Sequence, residues 1–413
     1  MSFSQRSLRG QGRGQGRGRG RAWYPKPLPT APSGPKGPTI DSIDIKALLI
    51  EDDAPEIANV EYIASYNWLD STVPTVLVPG ENPPCRCAPP AWTPPREDLQ
   101  LKQDEGDFFR DINAAHYPSY PIEPAIRSII ALQPDFDVQS VDFVGCGSTI
   151  GNLLRFAGSQ TKPFRFDVDV VGDTILFVRR ENSPTELIKD VRGYGHTFPE
   201  GYTTWDSDSR RSVSHQRIIR YEFGGLRLLV RTETDGYLKR AGDQVINSLA
   251  SQGTLESDIG NVNMSSSSPS TTQKLQLKMQ GHKVSQEQIF DIKTRSQQNI
   301  FDMEEILPRL WLNQTSKFLL AYHRYGLFDQ PEVKDVRHLV IGWQKDNSGL
   351  LGRFHAILRR IVDVVRDSDE QQLEVSWDGQ GPLLITKQVG KGRRALPSDL
   401  RKLWDDASDS GTS

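Results

Sequence analysis

The chain has 413 residues, of which 36% are hydrophobic and 25% charged, with a net charge of −3; that length suffices to bury a real core. No apolar run approaches the ~18 residues of a membrane span, the opening MSFSQRSLRGQGRG lacks the apolar segment of a secretory signal, and three cysteines cannot make a disulfide framework. The expectation is a soluble protein of a reducing, intracellular compartment, the nucleus first, the cytoplasm next and the mitochondrion third.

Charge is sharply partitioned. Residues 1–40 hold eight Lys or Arg and no Asp or Glu, which leaves −11 for the remainder. Arg9, Arg13, Arg17, Arg19 and Arg21 alternate with glycine and lead into a proline-rich stretch. Such a composition buries too little apolar surface to offset its ordering entropy, so segment 1–40 reads as a disordered tail. Guanidinium groups on a glycine backbone pair with phosphates and stack on bases, which makes these five arginines candidate RNA contacts.

Residues 41–390 read as one elaborated domain of mixed α and β structure. In the proline-rich loop ENPPCRCAPP, Cys85 and Cys87 have no second Cys or His pair at zinc spacing and read as two loop thiols. SVDFVGCGSTIGNLLRFA has the pattern of a strand, a glycine turn and a helix. FRFDVDVVGDTILFVRRE alternates as two strands around Gly172-Asp173, a hairpin signal. QRIIRYEFGG and LRLLVRTETDGYL form a second pair, and residues 251–272, with SSSSPSTT, read as a disordered surface insertion. KLQLKMQG resumes the fold with Leu275, Leu277 and Met279 alternating, and QIFDIKT sets Phe290 and Ile292 opposite Asp291 and Lys293. Helical periodicity covers 302–323 and 349–366, EVSWDG and PLLITK close the fold as strands, and 391–413 is a polar tail.

Alternation places Glu233 and Asp235 on one strand face and Asp291 and Lys293 on one face of another strand; pairing the two strands gathers three carboxylates and one ammonium. Like charges held together call for a compensating cation, and Mg2+ or Mn2+, hard ions that favour oxygen ligands, suit this set. Such a metal lowers the pKa of a bound water and neutralises phosphate charge, with Lys293 placed to orient the nucleophile or stabilise the transition state. The reaction class is phosphodiester or pyrophosphate hydrolysis.

Rival patterns are weaker. Gly145-x-Gly147-x-x-x-Gly151 has no βαβ repeat behind it, tight helix packing explains its glycines equally well, and no organic cofactor is expected. Asp405-Asp406-Ala407-Ser408-Asp409 spells the DDxxD of prenyl-diphosphate synthases, a minor alternative, but it lies in a polar tail instead of a bundle of long apolar helices. His196 and His215 flank the candidate site and read as ordinary hydrogen-bonding residues.

Taken in order, FVGCGSTIGNLLRF, GYGHTFPEGYTT, TETD, DIKTRS and WLNQTSKFLL resemble the motif series of the DXO family of eukaryotic decapping nucleases, as a divergent, fungal-like member. The resemblance spans roughly residues 100–345. It implies a single PD-(D/E)xK nuclease-like domain, a mixed central sheet flanked by helices, that hydrolyses RNA 5′ ends with a divalent metal. It further implies, in some members, 5′→3′ exonuclease activity, and a 5′→3′ exoribonuclease is a candidate partner; the alternative is an inactive RNA-binding or nuclease-partner protein that keeps the fold. Residue by residue, Glu233, Asp235 and Asp291 match metal-binding carboxylates and Ile292 a main-chain carbonyl ligand, while Lys293 and Gln314 match the other polar positions. Two departures stand out. Pro199 follows Phe198, so the acid of the second motif moves one place to Glu200. Gly145-Cys146-Gly147-Ser148 supplies none of the guanidinium expected before the helix, and Arg155 is the nearest candidate.

Overall fold

Gly172 adopts φ +57° and closes the Gly172-Asp173 turn between two strands, as the sequence implies. This hairpin lies near the middle of a large sheet. The computed structural model describes residues 31–50, 55–80, 88–240, 274–280 and 283–405. The arginines of the RG repeats, Cys85, Cys87, the Ser-rich stretch 251–272, Asp406 and Asp409 lie outside them.

In chain order the strands are β1 (Thr39–Ile43), β2 (Ile57–Leu69), β3 (Thr75–Val78), β4 (Ala91–Trp92), β5 (Phe108–Phe109), β6 (Phe143–Cys146) and β7 (Phe164–Val171). They continue with β8 (Thr174–Arg179), β9 (Leu187–Ile188), β10 (Thr203–Thr204), β11 (Ser212–Phe223), β12 (Leu226–Glu233), β13 (Gly236–Tyr237) and β14 (Gln276–Met279). The last six are β15 (Ile289–Ser296), β16 (Lys317–Arg324), β17 (Leu327–Phe328), β18 (Lys334–Asp335), β19 (Gln372–Trp377) and β20 (Leu383–Lys387).

Among the described residues, one sheet runs β1-β20-β19-β7-β8-β6-β12-β11-β2-β3-β14, and a second, smaller one is built on β10-β4-β13-β15-β16-β17. Helices α2 (Glu123–Leu132), α3 (Gly147–Ala157) and α7 (Ser348–Arg366) cover the large sheet. On one face Leu153 and Phe156 of α3 and Phe354, Leu358 and Ile361 of α7 pack with Phe143, Phe166, Phe177 and Val230. On the other, Ile126 and Ile129 of α2 pack with Val144, Leu176, Val178 and Leu229. Neighbours such as Phe143 and Val144 point to opposite cores, so both faces are buried, and this is why the central strands read as continuous apolar runs. The expected class, a mixed central sheet flanked by helices, is the one observed. It leaves no place for the helical bundle of a prenyl-diphosphate synthase, and among the described residues no helix is long and apolar enough to cross a membrane.

Three expectations are corrected. The helix over 302–323 is a short helix, Leu307–Leu312, followed by strand β16, because Gln314 at φ +51° turns the chain and KFLLAYHR then alternates. The tail from 391 is anchored as far as Asp405: helix Ser398–Asp405 buries Leu400 and Trp404, with Leu396 buried just ahead of it. The N-terminal tail does not extend to residue 40. The Gly34 and Pro35 carbonyls accept from the buried Arg165 guanidinium at 2.9 and 2.6 Å, Lys36 pairs with Asp378 at 2.8 Å, and β1 begins at Thr39.

Candidate functional site

Strand β6 runs parallel to both β8 and β12, so the carboxyl ends of three neighbouring strands open on one side of the sheet. That edge is where an α/β sheet offers its side chains to a ligand. Cys146 ends β6, Arg179 ends β8, and Arg231 and Glu233 end β12. With α3 on one flank and helix α5 (Leu307–Leu312) on the other, these residues line a cavity of about 820 Å³.

The acidic side forms because the chain leaves the large sheet after Glu233. Two residues beyond Asp235's neighbour Thr234, β13 pairs antiparallel with β15, Gly236 opposite Phe290. A Cβ on Gly236 would stand 2.5 Å from the Phe290 ring, so only glycine permits this approach. Asp235 is thereby set against β15, where the Ile292 N–H donates to its Oδ2 at 2.7 Å. The strand carrying Glu233 and the strand carrying Asp291 do not pair, contrary to the expectation from alternation; β13, which follows Asp235, makes the link. Buried Asp291 accepts from the Arg309 guanidinium at 2.8 Å.

These carboxyls sense one another. Glu233 is open to solvent at the cavity, yet desolvation by the surrounding walls and then the charge of Asp235 push it from its ordinary 4.5 up to about 7. Burial drives Asp291 well above the carboxylate range, with Arg309 opposing and Asp235 adding to the rise. A folded-state pKa above the unfolded one gives stability that is present below pH 4.5 and lost as pH rises through about 7. In metal-free protein, Glu233→Gln should therefore raise Tm at pH 8 and leave it unchanged at pH 4, measured by scanning calorimetry.

The opposite wall is cationic. Arg110, Arg155, Arg179 and Arg231 all line the cavity. Arg179 and Arg110 share Glu181, at 2.6 and 3.7 Å, and Arg110 also meets Glu186 at 2.9 Å. Among the described residues Arg155 bonds only to the neutral Asn152 side chain, and the Nε atoms of Arg155 and Arg231 are buried without a partner. Partial burial, then the charges of Arg155, Arg179 and Arg110, hold the Lys162 ammonium below its ordinary value. A cluster of cations with orphaned donors is a place prepared for an anion.

The structure treats the candidates unequally. Glu233 and Arg155 line the cavity, and Asp235 and Asp291 adjoin it through Arg309. Lys293 is exposed on β15, two residues from Asp291. Gln314 is turned away: its amide donates to the Trp311 carbonyl, and Asn313, whose buried Oδ1 has no partner among the described residues, lines the cavity in its place. Glu200 is exposed on the helix Thr197–Tyr202 and does not line the cavity. His196 stacks on Phe108; His215 is buried, bonded to Asn67 at 2.6 Å, and held well below its ordinary pKa by desolvation and Arg217. Sequence reasoning missed Arg179, Arg231 and Arg309. Arg231 was within reach, since alternation puts it on Glu233's face of β12.

Glu233, Asp235 and Asp291 offer the hard oxygen donors a divalent cation prefers, and their mutual repulsion is the charge imbalance that such an ion relieves. By donor chemistry they fit one. Among the described residues no three such side chains are already gathered around a single point; Arg309 is the cation beside them.

The mixed sheet and the helices that flank it have the fold of the Rai1 structures. The chain is similar to Scheffersomyces stipitis Rai1 in complex with (3'-NADP)+ and calcium ion, at 10% identity and a TM-score of 0.54 over 91% of this chain and 100% of that one. It is also similar to S. pombe Rai1 in complex with 3'-FADP, at 10% identity and a TM-score of 0.52 over 84% and 99%. No curated protein sequence matches it. The chain belongs to the family described as "Domain of unknown function (DUF8563)", whose model matches residues 54–404.

Proposed function

We propose that this protein is a divalent-metal-dependent hydrolase acting on RNA 5′ ends, removing a cap or a 5′-triphosphate. One observation carries the reading: a single cavity joins Glu233 and, through Arg309, Asp235 and Asp291 to a wall of arginines, of which Arg155 and Arg231 keep buried unpartnered donors. Of the two similar Rai1 structures, one is in complex with 3'-FADP and the other with (3'-NADP)+ and calcium ion. Glu233, Asp235 and Asp291, with the Ile292 main-chain carbonyl, would hold the ion, Mg2+ or Mn2+. The ion, once bound, supplies charge neutralisation and a water of lowered pKa. The protein's own part is orientation. Arg231 and Arg179 fix and neutralise a phosphate at the strand ends, Arg155 takes the neighbouring charge, and Lys293 lies near enough in sequence to Asp291 to serve the attacking water. Arg9, Arg13, Arg17, Arg19 and Arg21 add contacts to distal phosphates in this reading.

A second reading has support of its own. Arg309 already neutralises Asp291, and Glu200 stands outside the cavity, as in a retired enzyme that binds RNA or a partner 5′→3′ exoribonuclease. Purified protein incubated with 5′-triphosphorylated, capped and NAD-capped RNAs, with Mg2+, Mn2+ or EDTA, separates the two. Metal-dependent release of a 5′-terminal product is expected; RNA binding without turnover on any of the three would reject hydrolysis.

A further inference from the structure

Arg309 stands on α5 with its side chain about half exposed at the cavity rim. Its guanidinium lies 2.8 Å from Asp291 Oδ1, and the charges of Asp235 and Glu233 act on it as well. It is thus a rim cation drawn inward by the three carboxylates read above as metal ligands, in the same cavity as the anion-seeking wall of Arg155, Arg179 and Arg231.

We propose that Arg309 is a substrate-phosphate ligand that serves, at rest, as the counter-ion of these carboxylates, so that an anionic substrate and a divalent cation bind with positive coupling. The inference rests on the reading of the site given under the proposed function. A guanidinium on Asp291 and a divalent ion beside Asp235 repel at short range, so the ion binds weakly while Arg309 stays where it is. A phosphate entering the cavity offers Arg309 a planar, bidentate partner. The half-exposed side chain can follow it by rotating about its own bonds, with no rearrangement of α5, whose Leu310, Trp311 and Leu312 are buried. Asp291 is then free to take the ion. Linkage makes the effect reciprocal: metal tightens substrate as much as substrate tightens metal.

The test is the affinity of the full chain for Mn2+, read from the free-ion electron paramagnetic resonance signal, alone and with a hydrolysis-resistant 5′-phosphorothioate RNA oligonucleotide. For wild type, the RNA should tighten Mn2+ binding about tenfold, within the usual range of such couplings. Arg309→Gln should bind Mn2+ alone about tenfold tighter than wild type and lose most of the gain from RNA. Arg309→Lys, which keeps the charge, should stay close to wild type for Mn2+ alone and controls for damage to α5. Equal Mn2+ affinity in wild type and Arg309→Gln, or an undiminished RNA effect in that variant, would overturn the proposal and leave the hydrolase reading in place. Absence of Mn2+ binding by every variant, with and without RNA, would overturn the metal site itself. Neither outcome depends on turnover.

Discussion

Asp291→Asn should lower kcat/KM on the cleavable RNA by at least about a thousandfold, the scale on which charge-stabilising groups act in a closed site, while the protein stays folded. The two halves of that expectation have one cause. Asp291 is buried beside Asp235, and its carboxyl is pushed well above the ordinary range by burial, only partly offset by Arg309. Burial and Asp235 make a carboxylate in that position costly to the fold even with Arg309 beside it, so an isosteric neutral amide relieves that cost and should leave Tm equal or higher at pH 8. Arg309, half exposed, can return to water or to Glu233. Loss of activity with retained or raised stability marks a functional carboxylate; turnover retained within a few-fold of wild type would remove Asp291 from the site. Loss of activity together with a fall in Tm would instead make Asp291 a structural partner of Arg309.

How far the sequence revealed this site depended on how local each contact is. The hairpin at Gly172-Asp173 and the strand–turn–helix around Cys146 follow from period and turn chemistry within a few residues, and each was legible; the alternation that put Glu233 and Asp235 on one strand face stops at Glu233, where β12 ends. The meeting of Asp235 with Asp291 was not legible. It depends on a two-residue strand, Gly236–Tyr237, which carries the chain from one sheet to the other and is too short to leave a periodic signal. The cationic wall is a product of topology: Arg179 and Arg231 stand about fifty residues apart in sequence and become neighbours only because β8, β6 and β12 lie side by side in parallel. That arrangement also supplies the guanidiniums which the Cys146 turn lacks. Arg231 and Arg179 hold the Cys146 thiol below its ordinary pKa against the effect of burial. Gln314 and Asn313 show the opposite failure: a motif match chose the residue, and one left-handed φ at Gln314 gave the cavity to its neighbour.

Glu374→Ala should cost about 3–5 kcal/mol, the range seen when one partner of a buried ion pair is removed, and a large part of the roughly 5–15 kcal/mol that holds a domain together. Glu374 on β19 and Arg165 on β7 are each only 1% exposed, and their side chains meet at 2.6 Å. Arg180 reaches the other Glu374 oxygen at 2.6 Å and also bonds Asp167 at 2.9 Å. Without Glu374, Arg165 would retain the carbonyls of Gly34 and Pro35 but no anion. The loss should also be felt at the cavity, because Arg180 directly follows Arg179, the last residue of β8, and anchoring one steadies the other. Urea unfolding measures the first effect, and the salt dependence of RNA binding measures the second. A double variant, Arg165→Met with Glu374→Leu, removes both buried charges together and should recover part of the stability, since Arg180 keeps Asp167 while the Gly34 and Pro35 carbonyls lose their donor. If Glu374→Ala and the double variant lose the same amount, the contribution of Glu374 is one of packing, and the ion pair is not what fixes this edge of the sheet.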